Sequence, residues 1–160
     1  MFQIRLICMG KLKEKFYLSA ADEYAKRLRA FCEFQLIELP ECRLPEEPNP
    51  TQIAQALAEE ASRIRTKIPK GGFFCVFAPE GKQLSSPELA KTLGGVKSAG
   101  KSCACFLIGS SFGVDEALKA QAGLLLSMSR MTFPHHLARV MALEQLYRAE
   151  SIQAGTKYHK

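Results

Sequence analysis

Residues 124–136 read Leu-Leu-Leu-Ser-Met-Ser-Arg-Met-Thr-Phe-Pro-His-His. The three leucines predict a short buried strand, the polar residues after them predict a loop, and Pro134 is typical of the first turn of a helix. That helix is predicted to continue to about Gln153. A strand that leads through a loop into a helix is the repeating unit of an α/β fold. This unit and the segment after it contain every histidine of the chain: His135, His136 and His159.

The same unit repeats toward the N-terminus. Apolar runs predict four earlier strands, at residues 2–9, 33–39, 73–78 and 103–108. Helical spacing and helix-start signals predict helices at residues 14–31, 51–66, 85–100 and 115–121. Thr51 is the expected cap of the second of these helices, and Ser85 and Glu88 have the spacing of a capping box in the third. Residues 79–82 are expected to form a loop.

Strands that alternate with helices predict an α/β fold with one parallel sheet, covered by helices on both faces. The chain of 160 residues has no internal repeat and no low-complexity segment, so we expect a single domain, 1–160. The proline-rich stretch at residues 40–50 is then a long connection inside that domain.

The composition is that of an ordinary globular protein with a basic balance. Hydrophobic residues make up 47% of the chain, and the formal net charge of +6 favours a polyanionic partner such as RNA. No apolar run reaches the length of a membrane span, and Gln3 and Arg5 interrupt the first apolar stretch, which argues against a signal peptide. We therefore expect a cytoplasmic protein without a membrane segment.

The six cysteines are expected to be reduced and structural. They form no Cys-x-x-Cys pair, no histidine lies near them in sequence, and four of them fall in predicted strands. We therefore expect neither a disulfide framework nor a metal site.

Three loops follow the three most apolar strands, at residues 78–85, 109–113 and 127–134. Ligands of open α/β sheets bind beyond the carboxyl ends of the strands, so these loops are expected to lie side by side and to wall one pocket. Alternatives remain open from the residues alone. The Gly109–Gly113 loop is also compatible with a plain tight turn, and the serines at 127 and 129 with ordinary turn residues.

Several stretches together carry a resemblance. They are Leu107-Ile108-Gly109 with Gly113, residues 126–135, Arg139, Glu144 through Ala149, and the terminal Tyr158-His159-Lys160. On these residues the chain resembles the bacterial large-subunit rRNA pseudouridine N3-methyltransferases, which belong to the SPOUT group of knotted methyltransferases. The resemblance covers the whole chain, and it is most specific between residues 126 and 149.

The resemblance implies a C-terminal deep trefoil knot, an exception to the usual unknotted topology. It implies S-adenosylmethionine as cofactor, and a homodimer in which the tail of one or both chains completes the site. It implies as substrate N3 of a pseudouridine in a stem-loop of 23S rRNA, methylated in assembled 70S ribosomes. The positions that match the family's cofactor site are Phe77, Gly109, Ser110, Ser129, Arg130, Met131, Thr132, Phe133 and Pro134.

The chain departs from the family pattern at Ser110 and in the C-terminal tail. Ser110 stands where the family usually has a second glycine, which could narrow the approach to the cofactor. The tail reads Thr156-Lys157-Tyr158-His159 where the family usually has His-Pro-Tyr-His, and the missing proline should make the tail more mobile.

N3 of pseudouridine carries a proton at neutral pH, so a group must remove it or stabilise the resulting anion. The candidates are His159, His135 and Glu144, and a histidine suits proton transfer near pH 7. Arg139, Arg148 and Lys160 are expected to hold phosphates or developing charge, and Tyr158 to stack on a base. Without the resemblance, the spacing of Glu144 and Arg148 favours an exposed helical ion pair worth only about 0.3–0.5 kcal/mol.

Two alternatives stay open at this point. One is a knotted methyltransferase that acts on tRNA. The other is a non-catalytic module that binds RNA or the ribosome. Binding of S-adenosylmethionine would separate the second from an enzyme.

Overall fold

The computed structural model describes residues 1–160. Five strands alternate with five helices, as the sequence predicts. The strands are β1 (Gln3–Met9), β2 (Glu33–Leu39), β3 (Phe73–Gln83), β4 (Cys103–Ile108) and β5 (Leu124–Ser127). The helices are α1 (Lys15–Leu28), α2 (Pro50–Arg65), α3 (Ser86–Ser98), α4 (Glu116–Ala120) and α5 (His135–Gln153).

The strands form one sheet in the order β2-β1-β4-β3-β5, and all neighbours are parallel. Strand β4 is central and every one of its residues is buried. A continuous apolar sequence such as Cys103–Ile108 suits this position because both of its faces are covered. β4, β3 and β5 are adjacent, so the loops that follow them meet at one edge of the sheet.

Helices cover both faces of the sheet, as expected. Successive strand residues point to opposite faces, so Phe106 packs with α1, α3 and α5, whereas Leu107 packs with α2 and α4. The first core is the larger of the two and contains most of the buried side chains of α5.

The predicted N-cap is confirmed for α3 and wrong for α2. Ser85 and Glu88 form the expected capping box, in which the Glu88 N–H donates to Ser85 Oγ at 3.2 Å and the Ser85 N–H to Glu88 Oε2 at 2.6 Å. The cap of α2 is Asn49, not Thr51: the Gln52 N–H donates to Asn49 Oδ1 at 2.8 Å. Pro50 then occupies the first helical turn, where its missing N–H costs nothing.

The loop expected at residues 79–82 is instead part of β3, which continues to Gln83. The pairing with β5 shifts register between Phe77 and Lys82, and both of these residues lie opposite Leu126. Gly81 permits the close approach of the two strands, because a Cβ there would lie 2.7 Å from the carbonyl carbon of Leu125.

The cysteines are all free, and five of the six are buried. Burial raises the pKa of the Cys8 and Cys105 thiols to about 12, so both are protonated at neutral pH. No group of three His, Cys, Asp or Glu side chains is arranged to hold a metal ion. None of the helices combines the length and the apolarity that crossing a bilayer requires.

Candidate functional site

A cavity of about 780 Å³ opens at the carboxyl edge of β3, β4 and β5. Its walls come from residues 77–80 of β3, from residues 108–116 at the end of β4 and beyond it, and from residues 126–133 at the end of β5 and beyond it. The pocket expected from the three loops is therefore present, although only the first part of the 78–85 segment contributes. Its size falls within the range of small-molecule and cofactor sites.

Gly109 forms the part of the cavity wall that follows directly from β4. A Cβ at this position would lie 2.6 Å from Val114 Cγ2 and would also collide with the carbonyl group of Gly113. The loop is closed by a hydrogen bond of 2.9 Å from the Gly113 N–H to the Ser110 carbonyl, and Gly113 has a φ of +94° that favours glycine. The turn thus brings backbone groups, with no side chain in between, to the edge of the cavity.

Ser110 is bonded to a buried carboxylate that the sequence analysis missed. Its Oγ donates to Glu60 Oε1 at 2.9 Å, and Glu60 is only 4% exposed. The Cys42 N–H donates to the other carboxylate oxygen, also at 2.9 Å. Glu60 therefore ties the β4 loop to the proline-rich connection at residues 40–50. The signal was available in the spacing, since Glu60 lies in helical register with the buried residues Ala56 and Ile64.

The 127–134 loop is held by its serines. Ser127 Oγ donates to the Ser129 carbonyl at 2.9 Å, and the Met131 N–H donates to Ser129 Oγ at 3.0 Å. Ser129, Met131, Thr132 and Phe133 line the cavity, as does Phe77 from β3. Arg130 and Pro134 are exposed and do not line it.

His135 also lines the cavity, at the start of α5. Its Nε2 lies 3.0 Å from Glu41 Oε1, and its ring stacks at a tilt against His136, with 4.2 Å between the ring centroids. Burial lowers the pKa of His135 and the neighbouring His136 lowers it further, while Glu41 opposes both effects. His135 is therefore neutral at pH 7 and able to accept a proton.

Glu144 is the centre of a second cluster on α5, together with the C-terminal tail. Its carboxylate accepts hydrogen bonds from Arg148, from Gln145 Nε2 at 2.8 Å and from Tyr158 Oη at 2.9 Å. The Arg148 guanidinium lies 4.7 Å from the centroid of the Tyr158 ring, and its Nη1 lies 3.3 Å from His159 Nδ1. The Glu144–Arg148 pair is thus half-buried and part of a network, and it is not the simple exposed helical pair that the spacing allowed.

The expected site residues therefore fall into two groups within one chain. The cavity group contains Phe77, Gly109, Ser110, Ser129, Met131, Thr132, Phe133 and His135. The tail group contains Glu144, Arg148, Tyr158 and His159, none of which lines the cavity, and Lys160 is exposed beyond it.

Arg139 does not have the surface position that an RNA contact needs. It is 1% exposed, its Nη1 pairs with Glu38 Oε2 at 2.6 Å, and its Nη2 donates to the Gly10 carbonyl at 2.9 Å. The guanidinium joins α5 to the carboxyl ends of β1 and β2. We therefore correct its expected phosphate-binding role to a structural one.

Replacing Arg139 with alanine is expected to lower the free energy of unfolding by about 3 kcal/mol, because Glu38 would lose its buried partner. Chemical denaturation measures the change, and the exposed Arg130→Ala variant is the control, with a shift within about 0.5 kcal/mol. An Arg139→Ala protein of unchanged stability that binds RNA less tightly would restore the RNA-binding role.

Lys119 on α4 closes one side of the cavity and was not anticipated. Its Nζ lies 2.7 Å from Glu80 Oε1 and 2.8 Å from Glu116 Oε1, so it joins the extended end of β3 to α4. The ion pairs lower the pKa of Glu80, mainly through the hydrogen bond from Lys119. The Glu80 carboxylate therefore stays ionised at the cavity rim at neutral pH.

Sequence comparison finds one family along nearly the whole chain. Residues 2–159 match the family model described as "Predicted SPOUT methyltransferase". The chain is 42% identical to "Ribosomal RNA large subunit methyltransferase H" of Streptococcus equi subsp. zooepidemicus and 40% identical to the protein of that name from Streptococcus pyogenes. Each match covers 99% of this chain and 99% of the relative.

Solved structures show the same fold at low sequence identity. "A probable methylase family protein" from Haemophilus influenzae superimposes with a TM-score of 0.55 at 14% identity, over 98% of this chain and 70% of the other. A "Probable Methyltransferase" from Bordetella pertussis superimposes with a TM-score of 0.56 at 12% identity, over 93% of this chain and 96% of the other. At these identities the likeness concerns the fold alone.

Proposed function

The chain belongs to the SPOUT methyltransferase family, and on that premise we propose that it methylates N3 of a pseudouridine in a 23S rRNA stem-loop. The methyl donor is S-adenosylmethionine, and the substrate is the assembled 70S ribosome in the cytoplasm. The full-length identity of 42% to a large-subunit rRNA methyltransferase supports the rRNA substrate. The observation that carries the proposal is the cavity that the Gly109–Gly113 and 127–133 loops form in a chain with that identity.

The cavity fits S-adenosylmethionine in size and in chemistry. Its volume of about 780 Å³ is ample for a nucleoside cofactor, and Gly109 leaves room for close backbone contact. When bound, the cofactor supplies a methyl group activated by a positively charged sulfonium. The carboxylate side chains of Glu80 and Glu116 at the rim suit a cationic ligand.

We assign the donor contacts to the residues that line the cavity. Phe77 and the apolar members of the 127–133 loop contribute packing, while Gly109, Ser110, Ser129 and Thr132 contribute backbone and hydroxyl groups. Arg130 and Pro134 act by shaping the loop, because they are exposed beside it.

The path of the C-terminal segment is compatible with a trefoil knot, which we include in the proposal. Strand β5 lies at the edge of the sheet beside β3, yet α5 packs against α1 and α3. Residues 128–134 must therefore carry the chain from β5, at the edge of the sheet, to the layer formed by α1 and α3. A crossing of this kind brings the donor loop and the start of α5 together.

We further propose a homodimer in which the tail of one protomer completes the cavity of its partner. In a single chain the tail group lies apart from the cavity, so one chain alone does not assemble all the expected groups. Tyr158, Arg148 and Lys160 would then contact the RNA, by stacking or by pairing with phosphates. The proton of N3 passes to His135, His159 or Glu144, each of which is presented by one of the two groups.

Methyl transfer from labelled S-adenosylmethionine tests the proposal. We expect incorporation into 70S ribosomes that lack the modification, and little or none into tRNA. Mass spectrometry of the 23S rRNA should place the methyl group on N3 of one pseudouridine. Ribosomes that already carry the modification are the control and should accept no label.

Two other results would favour the alternative functions. Transfer to tRNA alone would favour the tRNA methyltransferase. A protein that binds ribosomes but neither binds nor uses S-adenosylmethionine would be a non-catalytic module.

A further inference from the structure

A second cavity, of about 460 Å³, adjoins the cavity of about 780 Å³ that we assign to the methyl donor, the donor cavity. The two share part of one wall, which consists of Leu57 and the residues Ser110, Ser111 and Phe112. The far side of the second cavity is the proline-rich connection, from Glu41 to Pro48. The buried Glu60 holds both walls in place, since it accepts hydrogen bonds from Ser110 and from the Cys42 N–H.

A hydrogen-bonded pair, His135 with Glu41, lies between the two cavities. His135 lines the donor cavity, and Glu41, 3.0 Å away, lines the second one. A group placed in the second cavity would therefore face both the donor and a neutral histidine. Methyl transfer needs the acceptor atom and the methyl carbon within about 3–3.5 Å of each other. An acceptor in the second cavity would therefore have to lie at this junction.

The lining of the second cavity suits a flat heterocycle with N–H donors. Leu44, Ala56 and Leu57 are apolar, and Phe112, which is 49% exposed, offers an aromatic face for stacking. Glu41 and Glu60 supply carboxylate oxygens that accept hydrogen bonds. Pseudouridine has two ring N–H groups where uridine has one, so carboxylate acceptors favour it.

We propose that this second cavity receives the target base, extruded from the RNA, and presents it to the donor at the Ser110–Phe112 segment, which both cavities share. The inference rests on the proposed function and adds the place of the acceptor. Glu41 is a positioning residue that orients His135 at the junction. The extruded base enters from the side of the proline-rich connection, which leaves the donor cavity free for the cofactor.

Ala56 and Ala58 on α2 give a matched pair of variants. Ala56 is buried and lines the second cavity but not the donor cavity, whereas Ala58 is exposed and lines neither. Ala56→Leu should reduce methyl transfer to ribosomes about 100-fold, because a displaced base loses its alignment. It should leave the Kd for S-adenosylhomocysteine, measured by calorimetry, unchanged. Ala58→Leu should change neither quantity.

Alkylation of Cys42 also tests whether the second cavity receives the base, and it requires no substitution of a buried residue. Cys42 lines the second cavity and is the one cysteine that is not buried, so N-ethylmaleimide should modify it selectively. Burial raises its pKa, so the reaction is run at mildly alkaline pH. The modified protein should bind S-adenosylhomocysteine normally and methylate ribosomes poorly, whereas Cys42→Ser should lose no activity on treatment.

The outcomes separate this inference from the proposed function. If the unmodified protein methylates ribosomes and the filled or alkylated forms do so equally well, the base lies elsewhere and the inference alone falls. If filling the second cavity abolishes binding of S-adenosylhomocysteine, the cavity belongs to the donor site and the inference also falls. If the unmodified protein transfers no methyl group, the proposed function falls, and the inference falls with it.

Discussion

Replacing Gly109 with alanine is expected to weaken the binding of S-adenosylmethionine severely. The added Cβ would lie 2.6 Å from Val114 Cγ2 and would meet the Gly113 carbonyl. The Gly113 carbonyl belongs to the backbone and cannot rotate away as a side chain can, so the loop must move. Because this loop is one wall of the cavity that we assign to the donor, its displacement should remove the backbone contacts that we propose for the cofactor. We expect the Kd to rise at least about 100-fold, a loss of about 2.7 kcal/mol.

Gly95→Ala is the matched control. Gly95 lies within α3, has no atom within 4 Å of the position that a Cβ would take, and does not line the cavity. Alanine there should stabilise the helix by about 0.5–1 kcal/mol and leave cofactor binding unchanged. Calorimetric titration gives both Kd values, and far-ultraviolet circular dichroism establishes that the Gly109→Ala protein is folded. A folded Gly109→Ala protein with the wild-type Kd would show that the donor does not bind against this turn.

The sequence was sufficient for the fold class because burial leaves a strong pattern. Cys103–Ile108 is apolar at every position, and only a strand covered on both faces needs that. Local signals failed where tertiary pairing competes with them. Pro79 and Gly81 favour a turn, yet pairing with β5 holds this stretch in β3, and the glycine there serves the close approach of two strands.

The position of the first cavity could be predicted from the topology, whereas the residues around the second cavity could not. Loops that follow adjacent parallel strands meet at one edge, so Gly109 and Ser129 were expected together. Glu41 comes from the proline-rich connection at residues 40–50, and Glu60 comes from α2. No local sequence pattern shows that either residue lies near Ser110 or His135. Arg139 was misassigned by its charge. Its spacing to the buried Ala142 and Leu143 places it on the inner face of α5.

The tail is the part of the proposed site that lies apart from the cavity in a single chain. Glu144 is fully engaged by Arg148, Gln145 and Tyr158, and this network fixes the tail against α5. In a homodimer with an isologous interface, the tail of each protomer can face the cavity of the other, so the two groups would form two equivalent composite sites.

Mixed dimers of His135→Ala and His159→Ala chains should recover activity that neither variant has alone. Each homodimer lacks one group in both sites and should be at least about 100-fold slower than wild type, the usual contribution of acid–base and positioning groups. If the sites are composite, a mixed dimer contains one site with both histidines and one with neither. Random mixing then restores about a quarter of the wild-type rate, because half of the dimers are mixed and each has one intact site.

The same mixture separates the two arrangements of the tail. If the tail served the cavity of its own chain, every site in a mixed dimer would lack one histidine, and mixing would restore nothing. Differently tagged chains, co-purified and assayed with 70S ribosomes, provide the measurement. A mixture of His159→Ala with Glu144→Gln is the matched control. Both changes affect the tail group, so their mixed dimers should stay inactive in the composite arrangement. Near wild-type turnover by the His159→Ala homodimer would remove His159 from the reaction and leave His135 and Glu144 as the proton acceptors.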